Sequence, residues 1–207
     1  MKDKKINGRT IKAAETKNKI YQCAVQLFRE YGFDQVSVDS IAEKAGISKG
    51  AFYVHFDSKD ALLASIIEEY VNELDMNYQM YLKSFPSDAA ASYILISLVE
   101  KIVDNIACDI GYDLIKIAYR IQIDRTINTG ILLNHDRELY KTFSILVDRG
   151  MRQGEFKTEI PAETIADHLV MAIRGFTYEW CIRYPDFDLK NQLHQHFEIL
   201  LSGIKRQ

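Results

Sequence analysis

Proline is scarce in this chain of 207 residues, present only as Pro86, Pro161 and Pro185. Helices can run long between them, because an internal proline would remove a backbone donor and clash with the preceding turn. Cysteine is equally sparse. Cys23, Cys108 and Cys181 are odd in number, widely separated and free of any CxxC spacing. That argues against a disulfide framework or a thiolate metal site, and for small apolar residues in a reducing compartment. No apolar run approaches the roughly 18 residues of a membrane span. The opening Met1-Lys2-Asp3-Lys4-Lys5 is charged where a signal peptide needs an apolar stretch. A cytoplasmic protein with no membrane partner is expected. Neither a Gly-rich phosphate loop nor a G-x-S-x-G elbow occurs, so neither an enzyme nor a cofactor is expected. His135, His168, His194 and His196 invite a metal reading. His194 and His196 are two apart, on different faces of a helix, and no Cys or carboxylate cluster completes a site, so no metal is expected.

Apolar residues make up 47% of the chain, enough for a substantial core. The net charge of −3 does not suggest nucleic acid, but its distribution does. Residues 1–60 hold 11 Lys or Arg against 8 Asp or Glu, a balance of +3, and the remainder hold 15 against 21, a balance of −6. A basic head on an acidic body is what phosphate contact by the head alone requires.

The apolar spacing is helical almost throughout. Residues 1–14, with Lys2, Lys4, Lys5, Arg9 and Lys12, read as a basic, mobile arm. A first helix spans about Glu15 to Tyr31 and ends at Gly32. Ser37 caps a short second helix bearing Val38, Ile41, Ala42 and Ala45, which Gly46 stops. Ser48 caps a third, from about Lys49 to Phe56, and Asp57 or Ser58 caps a long fourth that ends near Phe85. Further helices are expected over about 87–107, 113–125, 134–153, 161–184 and 189–205. Residues 113–125 also alternate like a strand, but a lone strand would leave its backbone groups without partners. The fold expected is all-α, with about nine helices. A helix-turn-helix domain at 15–60 follows the arm, and a helical domain at 61–207 completes the chain.

The informative stretch is Val38 to His55-Phe56, a helix, a tight Gly-containing turn and a second helix. Ala42 is small where the two must cross, Ile41 and Ile47 fill the angle, and Phe52 and Phe56 pin the second helix at i, i+4. The N-terminal end of such a helix is what enters a major groove. Gly50 and Ala51 allow close approach, Lys49 can donate to guanine or phosphate, and Ala51 or Val54 can touch a thymine methyl. Ser37, Ser48, Tyr53, His55 and Lys59 are candidates to clamp phosphates.

This stretch, with Ala24, Leu27, Phe28, Tyr31-Gly32-Phe33, Ser37-Val38, Ile41-Ala42, Ala45-Gly46-Ile47-Ser48-Lys49-Gly50, Phe52-Tyr53, His55-Phe56 and Ser58-Lys59, resembles the DNA-binding domain of the TetR family of bacterial transcriptional regulators. The likeness covers about Thr16 to Leu63. It implies a homodimer on a palindromic operator in double-stranded DNA, usually a repressor released by a small ligand. The DNA-contacting positions it implies are Ser37, Ser48, Lys49, Gly50, Ala51, Tyr53, Val54, His55 and Lys59. Polar groups among the apolar stripes of the body are candidates to line a pocket for an unidentified effector: Asp104, Cys108, Tyr112, Tyr119, Gln122, Arg125, His168, Arg174, Tyr178 and Trp180. The last two helices carry broad apolar faces suited to a dimer interface. The competing reading is a helical partner-binding or architectural protein using the same head.

Overall fold

The structure, a computed structural model of the chain, describes residues 2–125 and 137–206, with residues 2–9 described by backbone alone. Among these it holds nine α-helices: α1 Lys2–Tyr31, α2 Val38–Lys44, α3 Lys49–His55, α4 Lys59–Leu82, α5 Ala91–Asp104, α6 Tyr112–Asp124, α7 Glu138–Arg152, α8 Ala162–Arg183 and α9 Leu189–Ser202. A π-helical turn, Asn105–Ile110, extends α5. The chain divides into two compact units. The head is Met1–Glu69 with Arg120–Thr129, and the body is Tyr70–Tyr119 with Gly130–Gln207. The start of the seventh expected helix, at 134–136, and His135 lie outside the described residues.

In the head, α1 buries Ile20, Ala24, Leu27 and Phe28, and the helices after it bury Ile41, Ala42, Phe52 and Leu63. Gly32 and Gly46 both adopt positive φ, 78° and 63°, which lets the chain leave α1 and α2 sharply without a Cβ clash. The first helix starts at Lys2 rather than near Glu15. Composition suggested a break, but no proline interrupts the segment, and a helix nucleated by its packed half propagates at little further cost.

The body core is formed by α5, α7, α8 and α9, with Phe143, Phe197, Leu95, Leu98, Leu169 and Leu193 almost wholly buried. Residues 113–124 are helical, with Ile117, Ala118 and Ile121 buried, while Ile123 of the alternating set is exposed. Among the described residues the sole β-type pairing is an isolated bridge between Phe156 and Lys205, which ties the tail to the α7–α8 connection. Phe156 lies across Gly150 of α7, where a Cβ would collide with the ring. The Glu155 carboxylate accepts from the Ala91 and Ser92 amides and the Ser92 hydroxyl, satisfying the free donors that open α5.

Candidate nucleic-acid interface

Two short helices need both ends secured, and serines secure them. The Ser37 hydroxyl oxygen accepts from the Ser40 amide at 3.0 Å, while Ser40 Oγ accepts from the Ser37 amide at 3.1 Å. This is a reciprocal capping box with Ser in the place usually held by Glu or Gln. Ser48 Oγ accepts from the Ala51 amide at 3.1 Å. Ser58, of the two candidates, caps α4 through the Ala61 amide.

The orientation of α3 follows from its two aromatic anchors. Phe52 is 0% exposed and Phe56 6%, with ring centroids 5.9 Å apart. Burying this pair turns the intervening residues outward, and Tyr53 and Val54 are 47% and 80% exposed. Ser48, Lys49 and Gly50 are exposed too, with Ala51 and His55 half-buried. Gly50 has open space at its Cβ position, the nearest atom being Ser48 Oγ at 3.9 Å. Nothing inside the protein requires glycine there. Lys49 Nζ donates to Asp39 Oδ2 at 2.8 Å across the turn, and this bond, with the carboxylate's charge, raises the ammonium pKa.

Lys59 is placed differently from the other expected contacts. Its ammonium donates to the Phe33 and Val36 carbonyls, both at 2.7 Å, and lies 4.1 Å from the Phe33 ring centroid. Desolvation lowers its pKa. Its role in this geometry is to hold the α1–α2 connection. On the same connection, Arg120 Nη2 contacts Asp34 Oδ1 at 3.2 Å, with its guanidinium 5.9 Å from the Phe33 ring.

The candidate effector-binding residues scatter. Tyr112 meets Trp180 edge-on, with centroids 5.8 Å apart, and stacks on Tyr184 at 4.0 Å. The Tyr119 hydroxyl donates to the Arg174 carbonyl at 2.7 Å, and its ring meets Tyr178 at 5.6 Å. Burial pushes the Tyr119 pKa up. Asp104 turns outward to Lys190 at 2.7 Å, and Cys108 and His168 are exposed. Gln122 and Arg125 fall in the head unit, with Arg125 at φ 51° directly after α6. Sequence reasoning missed the body's buried ion pair. Arg137 donates through Nε and Nη2 to both oxygens of Asp75, at 2.8 and 2.7 Å. Nearby, the Asn105 amide donates to the Tyr78 hydroxyl at 3.1 Å, and burial raises the Tyr78 pKa to about 12. The overlooked signal was Asp75 itself, a carboxylate inside the apolar spacing Val71, Leu74, Tyr78.

His194 contacts Glu100 at 2.9 Å and His196 packs on the Phe176 ring, so the two histidines do face different neighbours. Among the described residues no group of three His, Cys, Asp or Glu is placed to hold a metal ion. Among the same residues no helix is long and apolar enough to cross a membrane.

A short helix pinned by two phenylalanines and opened by a capped, exposed Ser-Lys-Gly is the second helix of a helix-turn-helix. The family model described as "Bacterial regulatory proteins, tetR family" matches residues 20–66. The head of this chain is a TetR-family DNA-binding domain, and the chain is similar to regulators of that family. It is a DNA-binding transcriptional regulator with a helix-turn-helix head. Over most of its length it is similar to the HTH-type transcriptional regulator AcrR of Shigella flexneri, at 25% identity over 92% of this chain and 89% of the relative. Two solved structures share the fold. A TetR-family regulator from Pectobacterium atrosepticum aligns with a TM-score of 0.77 at 19% identity, covering 95% of this chain and 97% of that one. Thermus thermophilus FadR, a TetR-family repressor in complex with lauroyl-CoA, aligns with a TM-score of 0.73 at 19% identity, covering 92% and 96%.

Proposed function

We propose that this TetR-family protein is a homodimeric repressor that reads a palindromic operator through α3 and leaves it when a small ligand binds the body. The outward face of α3 is the observation that carries the DNA reading. In it, Lys49, Gly50, Ala51, Tyr53 and Val54 face base edges and adjoining backbone, while Ser37, Ser48 and His55 meet phosphates. Lys59 acts one step back, by fixing the loop ahead of α2. Lys49 exchanges Asp39 for DNA on binding, an inexpensive swap because both partners are exposed.

Dimerisation through the last two helices is supported by exposed apolar residues on them. Met171, Tyr178 and Ile182 follow helical spacing on α8, and Ile199 is exposed on α9. Two such pairs form a four-helix bundle around a two-fold axis. A monomeric mass by light scattering at micromolar concentration would remove this part of the reading. The dimer sets its two heads into successive major grooves about 34–36 Å apart. A ligand then needs only to favour a conformer with the wrong spacing, and α4, continuous from Lys59 to Leu82, is the lever. Moving a population from 99:1 to 1:99 takes about 5.5 kcal/mol of differential affinity. The bound lauroyl-CoA of the Thermus protein supports a ligand-responsive body and makes acyl-CoA a reasonable first compound to screen.

The deciding experiment is a gel-shift titration with the DNA flanking the protein's own gene, at about 50 and 200 mM salt, beside Lys49→Ala, Tyr53→Ala. The expected result is a selective, salt-sensitive shift that the double variant loses. A shift that survives it would move the reading helix elsewhere, and salt-independent association with protein instead of DNA would favour the partner-binding alternative.

A further inference from the structure

Stability alone is a poor reason for the Asp75–Arg137 pair. Burying two opposite charges strips both of water, and the attraction between them returns little more than that loss. The Asp75 side chain is 5% exposed and that of Arg137 16%. The pair joins elements 62 residues apart, Asp75 on α4 and Arg137 at the N-cap of α7. Tyr78 stands one turn along α4 from Asp75, and its hydroxyl accepts from the buried amide of Asn105, the first residue of the π-helical turn. Such turns, inserted at the end or in the middle of α-helices, recur at functional sites. Leu74, Ile102 and Leu139, on the same three helices, belong to the body's apolar core. A few convergent polar groups among apolar side chains are the composition of a small-molecule site.

The seat that Arg137 offers fits one carboxylate. Its Nε and Nη2 donate side by side to the two oxygens of Asp75, a planar fork that matches carboxylate geometry. A carboxylate from outside replaces Asp75 charge for charge, so the desolvation of the guanidinium is the same before and after. A phosphate dianion would bring a second charge to a group whose single cation is Arg137. The Tyr78 hydroxyl, which accepts the Asn105 bond, retains its own proton to donate. Asp75, once displaced, has a short way to water. At 3.6 residues per turn, exposed Asn72 and Gln79 lie about 40–60° to one side of it, and buried Val71 and Tyr78 as far to the other. A modest rotation of α4 about its axis therefore carries the carboxylate out.

We propose that Arg137 recognises an anionic effector, a monocarboxylate carried on an apolar chain, and that Asp75 holds the same position until the effector displaces it. The inference rests on the ligand-responsive reading of the body and names the chemical class of the ligand. Asp75 is an internal competitor. It sets the concentration at which the effector works, because the effector binds only molecules in which the pair is open. Displacement also frees α4 to turn, which ties recognition of the anion to the lever of DNA release.

The test titrates the full chain calorimetrically with sodium octanoate, with octanol as the uncharged counterpart and sodium chloride at equal ionic strength. Asp75→Ala is compared with the wild type and with the double variant Asp75→Leu, Arg137→Met, and circular dichroism checks that each is folded. The expected result is octanoate binding to the wild type and none to the double variant. Binding to Asp75→Ala should be at least about tenfold tighter, since a competitor that leaves about a tenth of the molecules open weakens apparent affinity by that factor. Equal affinity in Asp75→Ala and the wild type, binding retained by the double variant, or octanol binding as well as octanoate would each overturn the proposal. So would binding to Asp75→Ala alone, which would mean that no effector displaces the native carboxylate. If Asp75→Ala does not fold, the other two proteins decide, and octanoate binding to both or to neither overturns it. Gel shifts with the DNA flanking the protein's own gene separate this inference from the reading beneath it. Octanoate that binds through Arg137 but leaves the shift unchanged would overturn ligand-driven release and leave Arg137 as an anion site. Release by an uncharged compound, with octanoate inert, would overturn the proposal and leave ligand-driven release standing.

Discussion

Head and body bury different kinds of residue. The head's core is apolar, and its polar side chains cap helices or face outward, with half-buried Lys59 spent on two backbone carbonyls. The body also buries polar groups. Asp75, Ser92, Ser97, Asn105, Thr142 and Thr177, the buried polar residues among those described, all belong to it. A module that must present one chemical face to DNA keeps its hydrogen-bonding groups outside. A body that, on the proposed reading, responds to a ligand can hold polar groups within, where each needs a partner of fitting geometry. Binding and stability should therefore separate cleanly in the head and less so in the body.

Phe52→Ala tests the head's apolar anchor. Removing a fully buried ring costs about 3–5 kcal/mol. Hydrogen exchange should show protection lost across α2 and α3 while α5 and α7 keep theirs. Loss of protection throughout the chain would mean the two units do not unfold separately. In the body the counterpart is Asp75→Ala, which strands the Arg137 guanidinium and should cost about 3–5 kcal/mol in urea unfolding. Asp75→Leu with Arg137→Met should recover most of that loss, because the desolvation penalty of both charges disappears. If the double variant is no better than the single, packing rather than charge sets the value of the pair.

Gly50→Ala separates the head's two roles. With open space at its Cβ, the substitution should stabilise the fold by about 0.4–1 kcal/mol through the unfolded chain. DNA affinity should fall by about 1–3 kcal/mol, roughly five- to 150-fold, the scale of a lost base contact. Retained affinity in a gel-shift would show that α3 does not approach DNA at this residue. The smallest effect belongs to Asp39→Asn. Lys49 and Asp39 are both exposed, so freeing the lysine changes little; binding to random-sequence DNA should rise by no more than about fivefold, with thermal stability nearly unchanged.

The head was legible because its signals are local. Ser37 and Ser48 cap helices a few residues away, Gly46 takes the left-handed turn, and Phe52 and Phe56 stand one helical turn apart. The start of α1 was not, since basic residues with little apolar content look alike whether helical or loose. Nor was the fate of Lys59, whose carbonyl partners at Phe33 and Val36 depend on how the loop folds back. In the body, Tyr112 and Trp180 do meet, but Asp104 and His168 face away. An apolar stripe shows which side of a helix is buried without showing which polar neighbour awaits it.

By itself the sequence determined the all-α class, the helix-turn-helix with its caps and anchors, and the regulatory family, because periodicity and short-range chemistry are written within a few residues. The tertiary structure alone decided that Arg137 neutralises Asp75, that Glu155 caps α5, and that residues 120–125 join the head unit. These pairings link positions some 60 or more residues apart, and the whole packed core fixes them where no local preference does.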